Sequence, residues 1–512
     1  MKRALISVSD KTNLIPFAKG LVACGYELIS TGGTFKILEK ENLPVIKIDE
    51  VTQFPEMLDG RVKTLHPNIH GGLLALRDNA EHMSTCKVHN IDLIDLIVVN
   101  LYPFESTISK PNVTVEEAIE NIDIGGPSMI RSASKNFRSV GVIVNPNNYD
   151  AVLAELKKND GNLSYETKAR LAFEAFTHTS QYDAVISNYF QAHIIKSDDF
   201  FPQKLSPVLE KVTELRYGEN PHQKAAFYKQ NNVVGLPTLQ QLHGKELSYN
   251  NIADIESAVQ IVSDFTEPAA AIIKHSNPCG AAIGRSISEA YKKAYDADPV
   301  SAFGSIIGLN RAVDKQTAEE IAKTFVEVVV SPDFEKDAFE ILSQKPSIRL
   351  IKLDTLKHDD EKLIYKHVDG GFLVQTIDNK KTNANDWKVV TKTVPSDQLM
   401  SDLAFAFRMV KHVKSNAILI AKDGVAIGVG AGQMSRIEAV EIAVKKAGDS
   451  TKGAVLASDA FFPFKDSVEI AAKHQISAII QPGGSKRDDE SIEACNEHNI
   501  SMVFTGIRHF KH

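Results

Sequence analysis

The 512-residue chain is 43% hydrophobic and 24% charged, the balance of a folded, soluble protein and not of a disordered one. A net charge of -7 with no Lys/Arg block argues against a nucleic-acid partner, and no apolar run reaches the roughly 20 residues of a membrane span. Four scattered cysteines, Cys24, Cys86, Cys279 and Cys495, have neither disulfide nor metal spacing, as expected for a reducing cytoplasm.

Strand and helix alternate through the first 195 residues. Residues 4–8 are an apolar run suited to a buried strand. Ser9 and Asp10 can cap a following helix with Leu14, Phe17, Ala18, Leu21 and Val22 at helical spacing. Gly25 ends that helix. Further strands are predicted at 26–30, 45–48, 93–99 and 140–144, with a helix from Thr31-Gly32-Gly33-Thr34 to about residue 40. This alternation predicts a parallel, wound α/β domain. Its loops hold the polar content: Ser7-Val8-Ser9-Asp10-Lys11, the Thr31–Thr34 loop, Arg61-Val62-Lys63-Thr64-Leu65-His66-Pro67, Asn100-Leu101-Tyr102-Pro103-Phe104 and Asp123-Ile124-Gly125-Gly126-Pro127-Ser128. Backbone N–H groups at a helix N-terminus favour anions, and glycine lets a phosphate approach closely. Each loop alone fits an ordinary turn and cap. Several at the strand ends of one sheet suggest a pocket for a phosphorylated small molecule.

A helix is predicted over about 163–193. Lys196-Ser197-Asp198-Asp199-Phe200-Phe201-Pro202 then breaks the periodicity, which puts the main domain boundary near 196–202. Leu215-Arg216-Tyr217-Gly218-Glu219-Asn220-Pro221-His222-Gln223 reads as a turn-rich loop, and Asp254 as the start of a helix reaching about residue 264. The densest chemical cluster follows. Residues 269–273 form a buried strand, Lys274, His275 and Asn277 stand at its end, and Pro278 and Gly280 are expected to break it and turn the chain. Open α/β sheets bind ligands at such strand ends, although the stretch alone fits a strand cap with a lone histidine equally well.

Residues 297–304 have a faint echo in 457–464, and 271–284 in 417–428, which suggests two α/β halves of similar build. The polar segment of about 340–398 reads as a solvated connection between them. Gly428-Val429-Gly430-Ala431-Gly432 is a weak dinucleotide signal, because no acidic residue marks a following strand end. The tail Arg508-His509-Phe510-Lys511-His512 reads by default as frayed.

Taken in order with Lys414-Ser415-Asn416, Gln433-Met434-Ser435-Arg436, Ser458-Asp459-Ala460-Phe461-Phe462-Pro463-Phe464 and Gln481-Pro482-Gly483-Gly484-Ser485, these motifs cover essentially the whole chain. They resemble the bifunctional purine biosynthesis family, which joins aminoimidazole carboxamide ribonucleotide (AICAR) formyltransferase to inosinate (IMP) cyclohydrolase. The resemblance implies an α/β fold. An N-terminal methylglyoxal-synthase-like parallel domain would span 1–196, and a formyltransferase part 197–512 would hold two cytidine-deaminase-like lobes, about 200–365 and 390–512. It implies formyl transfer from the co-substrate 10-formyltetrahydrofolate to AICAR, then dehydrative closure of the formylated product (FAICAR) to IMP, by a cytoplasmic homodimer.

The same resemblance assigns ring closure to Lys63, Tyr102, Asp123 and Lys135. Ser9, Lys11, Thr31, Gly32, Gly33, Thr34, Arg61, Thr64, Asn100 and Gly125 would hold that nucleotide. Formyl transfer falls to Lys274, His275 and Asn416. Arg216, Tyr217, Asn277, Gly304, Gln433, Arg436, Phe461, Asp466, Arg508 and His512 would bind its substrates. The residue types suit the chemistry: a lysine ammonium can stabilise a developing oxyanion, while histidine, carboxylate or phenol can move protons.

A zinc deaminase is the rival, since His275-Ser276-Asn277-Pro278-Cys279 is a fragment of its pattern. Asn277 stands where the general acid/base glutamate belongs, and no second cysteine lies three residues beyond Cys279. Zinc is therefore not expected. A non-catalytic nucleotide-binding scaffold would be marked by loss of Lys63, Lys274 or His275, and all three are present.

Overall fold

The computed structural model describes residues 1–195, 201–230, 234–353 and 363–512. Residues 196–200 of the expected boundary stretch and 354–362 of the expected connection lie outside them. The chain divides into two compact units, Met1–Val208 and Leu209–His512.

In the first unit, β1 (Lys2–Val8), β2 (Tyr26–Ser30), β3 (Val45–Lys47), β4 (Leu96–Asn100) and β5 (Gly141–Ile143) form one sheet in the order β3-β2-β1-β4-β5. Every pairing is parallel, as the alternation of elements predicts. The chain runs outward from β1 on one side and resumes at β4 on the other. The crevice between the carboxyl ends of β1 and β4 is thus the switch point where such sheets take ligands. Fully buried Leu5, Ile6, Leu28, Ile29, Ile97 and Val98 make the centre of the core, with Leu171, Ala172 and Ala175 of helix Tyr165–Tyr189 closing one side.

Two local expectations shift. Ser9 and Asp10 do not cap the first helix: it spans Leu14–Ala23 behind a left-handed Asn13. Asp10 Oδ1 instead accepts from the Thr12 N–H at 2.9 Å and the Thr12 hydroxyl at 2.7 Å, closing a turn before the helix. The third strand stops at Lys47 because Ile48–Thr52 is helical, with Glu50 reaching back to the Lys47 N–H.

The second unit contains β6 (Leu209–Leu215), β7 (Ala225–Gln230), β8 (Gln240–His243), β9 (Ala269–Lys274), β10 (Asn277–Ile283), β11 (Ser305–Leu309), β12 (Val326–Ser331) and β13 (Arg349–Lys352). After these come β14 (Leu363–Val368), β15 (Gly371–Thr376), β16 (Lys388–Val389), β17 (Ile418–Lys422), β18 (Val425–Gly430), β19 (Val455–Ser458), β20 (Ala478–Gln481) and β21 (Ser501–Phe504). β6–β7 and β14–β15 are separate two-stranded ribbons. The other strands form one 12-stranded sheet, β16-β21-β20-β19-β17-β18-β10-β9-β11-β12-β13-β8.

Read outward from its centre, that order is the same twice: β10, β9, β11, β12, β13, β8 on one side and β18, β17, β19, β20, β21, β16 on the other. The halves meet where β10 and β18 pair antiparallel, Ala281 opposite Ala426 and Ala282 opposite Val425. Helices Tyr249–Ser263 and Asp397–Val410 cover one face of both halves and share one apolar core. The opposite face holds a separate core in each half. Gly280 and Gly428 occupy matching strand positions under helices: a Cβ would stand 2.0 Å from the Ala294 carbonyl oxygen and 2.2 Å from that of Ala443.

The duplication confirms the echo between 271–284 and 417–428. It corrects the other echo, because residues 297–304 precede β11 whereas 457–464 begin inside β19. The hairpin register gives the proper match: Gly304 N–H bonds the Phe325 carbonyl as Gly453 N–H bonds that of Gln475.

Pro278 and Gly280 do not turn the chain. They lie in the return strand β10, and the turn is His275-Ser276, since Asn277 already pairs with Lys274. Likewise the helix expected from Asp254 starts at Tyr249, because Ser248 and Asn251 form a reciprocal capping box. The segment 340–398 is not plain connection: it includes β13 and the β14–β15 ribbon, and Trp387 packs on Phe407 with ring centroids 5.9 Å apart.

Candidate active sites

In the first unit the polar loops gather at the carboxyl ends of the parallel strands. Asn100, the last residue of β4, accepts from the Ser9 and Asp10 N–H groups at 2.5 and 2.9 Å through Oδ1. Thr34 Oγ1 accepts from the Val8 N–H at 3.2 Å and from Lys11 Nζ at 3.0 Å. Burial lowers the Lys11 pKa, with Asp10 opposing. Thr31 Oγ1 lies 2.9 Å from Ser7 Oγ. Thr31 is the N-cap of helix Gly32–Lys40, so Gly32 and Gly33 present that helix's first N–H groups. Lys63 Nζ stands over them, 3.6 Å from where a Gly32 Cβ would be. The Glu56 carboxylate stands 3.6 Å from it.

Asp123 lies beside this lysine at the entry to helix Gly125–Lys135. Burial raises its pKa, opposed by N–H donors from Gly126 and Tyr102 and by Lys63. The Gly126 bond to Oδ1 is 2.9 Å. Gly125 is packed against Thr64, whose Oγ1 would be 2.6 Å from a Cβ there. A half-buried carboxyl with a raised pKa, an ammonium and a helix N-terminus make a site suited to an anionic substrate and proton transfer.

Two residues assigned from sequence stand apart. Arg61 is exposed and paired with Glu120. Lys135 is exposed at the far end of helix Gly125–Lys135, about 15 Å along the axis from Gly125 at 1.5 Å per residue.

In the second unit one end of the central sheet collects Lys274, His275, Asn277, Gly304, Asn416 and Arg436, while Arg216 and Tyr217 follow the separate β6 strand. Lys274 Nζ donates to the Phe303 carbonyl at 2.6 Å, and a Cβ on Gly304 would be 3.5 Å from that ammonium. His275 and Ser276 follow with φ of 52° and 60°, the two left-handed residues a type I′ hairpin turn demands. Asn277 joins this turn to the second half: its Nδ2 donates to the His275 carbonyl at 3.2 Å, and its Oδ1 accepts from Lys414 N–H at 3.2 Å.

Two residues later Asn416 donates through Nδ2 to the carbonyls of Gln433 and Met434, at 2.9 and 3.2 Å. Its Oδ1 accepts from Arg436 Nη2 at 2.8 Å. The second lone pair of Oδ1 is the capacity left for a ligand.

Arg436 itself is 7% exposed and turned inward. Its Nη1 donates to Asp459 Oδ1 at 2.5 Å and to Ser458 Oγ at 2.8 Å. Asp459 is wholly buried. Its other oxygen accepts from Ser415 Oγ, and its carbonyl accepts from the His509 N–H at 3.0 Å. Ser415 N–H in turn bonds the Lys511 carbonyl at 2.8 Å. The C-terminal residues are therefore tied down and not frayed, and Arg508 lies over the Phe510 ring at 4.4 Å.

Phe461 is exposed just beyond Asp459, and Asp466 opens helix Asp466–Lys473. Gln433 Nε2 is turned back onto the Ala431 carbonyl at 2.7 Å. Arg216 lies against Tyr217 and lines a cavity of about 280 Å³ with Glu214, Gln241 and Ile252.

Comparison with known proteins bears on both sites. The profile of the AICARFT/IMPCHase bienzyme family matches residues 133–446, and that of the MGS-like domain matches 13–128. The bifunctional purine biosynthesis protein PurH of Oceanobacillus iheyensis is 55% identical over 514 residues, covering 100% of both chains. The chain belongs to the AICARFT/IMPCHase bienzyme family.

PurH of Thermoanaerobacter sp. strain X514 is likewise 55% identical, and that of Caldicellulosiruptor saccharolyticus 54%, each with 100% of both chains covered. A crystal structure of ForH matches 37% of this bienzyme chain and 98% of its own, at 34% identity and a TM-score of 0.34.

Sequence reading missed three residues that shape the bienzyme's sites. Asp459 stood inside a quoted motif but had no sign of burial. The sequence marks Asp254 only as a helix start, yet its carboxylate bonds the Ser276 N–H of the His275 turn. Tyr182 gave no signal at all: its hydroxyl accepts from the Asp123 N–H at 2.8 Å from a helix 59 residues away. Cys279 donates to the Ile272 carbonyl at 3.4 Å, and burial pushes its thiol up to about 12.

Proposed function

We propose that the two sites divide the two reactions of this bienzyme, formyl transfer at Lys274–His275 and ring closure at Lys63–Asp123. The chain is an enzyme of the last two steps of purine (IMP) synthesis. It transfers a formyl group from 10-formyltetrahydrofolate to AICAR, then closes FAICAR to IMP with loss of water. The observation that carries the division is that each unit gathers its own cation and proton-transfer group at the strand ends of its own sheet.

For formyl transfer, the AICAR amine is conjugated to a carboxamide and is a weak nucleophile. His275, exposed at the hairpin tip, takes its proton as it attacks. Lys274, held at its post by the Phe303 carbonyl, stabilises the oxyanion of the tetrahedral adduct, and as that adduct collapses and the bond from the formyl carbon to the folate nitrogen breaks, it gives the leaving nitrogen a proton. Asn416 orients the reacting amine through the free lone pair of Oδ1. For ring closure, Lys63 stabilises charge on the formyl oxygen, and Asp123, with its raised pKa, moves the amide and leaving-water protons. Tyr102, half-exposed beside it, binds the base; Lys135 is given no step.

The domain division is read at the unit boundary, ring closure within 1–208 and formyl transfer within 209–512. A cytoplasmic location is supported by the four free cysteines. A homodimer is supported by the two projecting ribbons, which expose Leu209, Val212 and Tyr228 on one and Ile364, Phe372 and Leu373 on the other.

The test supplies each substrate separately. His275→Ala should slow formyl transfer by roughly 10²–10⁴-fold and leave closure of added FAICAR intact, and Lys63→Ala should do the reverse. Loss of both activities in either folded variant refutes the division.

A further inference from the structure

The His275-Ser276 turn has an internal control. In the second half, β17 and β18 are joined by Asp423-Gly424, again a two-residue turn, with φ of 52° and 69°. The lysine before each turn makes the same bond: Lys274 Nζ to the Phe303 carbonyl at 2.6 Å, Lys422 Nζ to the Lys452 carbonyl at 2.7 Å. Each turn also rests on an aspartate of the helix behind it. Asp254 Oδ1 accepts from the Ser276 N–H at 2.6 Å, and Asp402 Oδ1 from the Gly424 N–H at 2.9 Å.

The two turns differ in what the chain itself prefers. Asp-Gly is a pair that adopts a type I′ turn unaided. His275 and Ser276 both carry a Cβ, and Ser276 fills the second left-handed position that Gly424 takes in the other copy. In the reactive copy the aspartate does more: Asp254 Oδ1 also accepts from Ser276 Oγ at 3.3 Å. Asp254 is half-buried in helix Tyr249–Ser263, so it approaches the turn from a fixed element. On the other side Asn277 ties the turn, through its bonds to the His275 carbonyl and to Lys414.

We propose that Asp254 is a positioning residue for formyl transfer: it holds the unfavourable His275-Ser276 turn closed and thereby aims the His275 imidazole. This rests on the reading that His275 is the proton-transfer group. Without the carboxylate, Ser276 relaxes toward negative φ, the turn opens, and the imidazole swings off the line of the substrate amine. Substrate binding, made mainly by other residues, changes little.

The experiment measures kcat and KM for formyl transfer, with ring closure of FAICAR by the same preparation reporting a folded, active chain. Asp254→Ala should lower kcat by roughly 10- to 100-fold, as expected for misplacement of a reacting group by about 1 Å, with KM nearly unchanged. Ser276→Gly placed on Asp254→Ala should recover most of that loss, because glycine holds a left-handed turn without help. Asp254→Asn, which keeps an acceptor oxygen for the Ser276 N–H, should retain most of kcat. Asp402→Ala, at the glycine-containing copy, should leave kcat at the parent value.

The proposal is overturned by an Asp254→Ala variant with parent kcat, or by a folded double variant no faster than Asp254→Ala. Loss of kcat in a folded Asp254→Asn variant also overturns it, since a carboxylate would then be needed for something other than accepting the bond. Should Asp254→Ala fail to fold, the Asn variant and the double variant decide. Failure of the underlying reading is seen separately, as a His275→Ala variant that still transfers formyl groups.

Discussion

Asp459→Ala leaves the Arg436 guanidinium buried without its carboxylate. Arg436 is 7% exposed and Asp459 is fully buried, so water cannot take the place of the lost oxygen. Removing one partner of such a pair costs about 3–5 kcal/mol. The unit concerned runs from residue 209 to 512, that is 512 − 208 = 304 residues. At about 2.1 cal/mol/K per residue its unfolding entropy is roughly 0.64 kcal/mol/K, so its Tm should fall by about 5–8 °C.

The damage should also reach the chemistry. Arg436 fixes Asn416 Oδ1, and Asp459 anchors Ser415 and the tail at His509. Formyl transfer should therefore fall well before the protein unfolds, while ring closure at the other site keeps its parent rate. Differential scanning calorimetry paired with the two separate assays measures this. A Tm and a formyl-transfer rate both equal to the parent would refute the reasoning, and would mean that Arg436 is held in solution by something other than Asp459.

Two further outcomes are expected. His412 donates to Asp264 at 2.6 Å in a buried setting, and burial brings its pKa from 6.5 down to about 4. The unfolded chain then binds more protons below 6.5, so this group's stabilisation is complete above that pH and is lost as pH falls toward 4. Stability should therefore fall from pH 6.5 to pH 5 in the parent and less so without this imidazole. Urea unfolding of parent and His412→Asn at both pH values checks it, and equal pH slopes would contradict it. Tyr182→Phe leaves the Asp123 N–H without its acceptor, a loss of about 1–3 kcal/mol. Ring closure should slow roughly tenfold if that loss misaligns Asp123 and formyl transfer should not change. A parent rate of ring closure would show that Asp123 is aligned without Tyr182.

The parallel sheet of the first unit was legible because each strand is a short apolar run bounded by glycine or a polar loop. The place of its candidate site was legible for the same reason, since loops such as Thr31–Thr34 must lie at one edge once the strands are parallel. In the hairpin of the second unit the local sequence points two residues past the true turn. Pro278 and Gly280 are turn residues by habit, but Gly280 is there for the close approach of the Ala294 backbone. The real turn has neither glycine nor asparagine at its two left-handed positions, and Asp254 bonds it from a helix outside the local sequence. Asp459 and Tyr182 act across 23 and 59 positions on Arg436 and Asp123, and periodicity carries no trace of such pairings. The duplication left only a faint echo, because strand order and turn length survive substitutions that erase identity.

The seam between β10 and β18 has a consequence for how such a site could arise. Because the pairing is antiparallel, the tip of one hairpin lies beside the closing end of the other. Asn277 therefore reaches Lys414, and the imidazole of one half shares its edge with the amide and buried ion pair of the other. Each half alone would carry only part of the machinery. With both copies in one chain the two tips are free to differ: one has the easy Asp-Gly turn, and the other carries the histidine proposed for proton transfer.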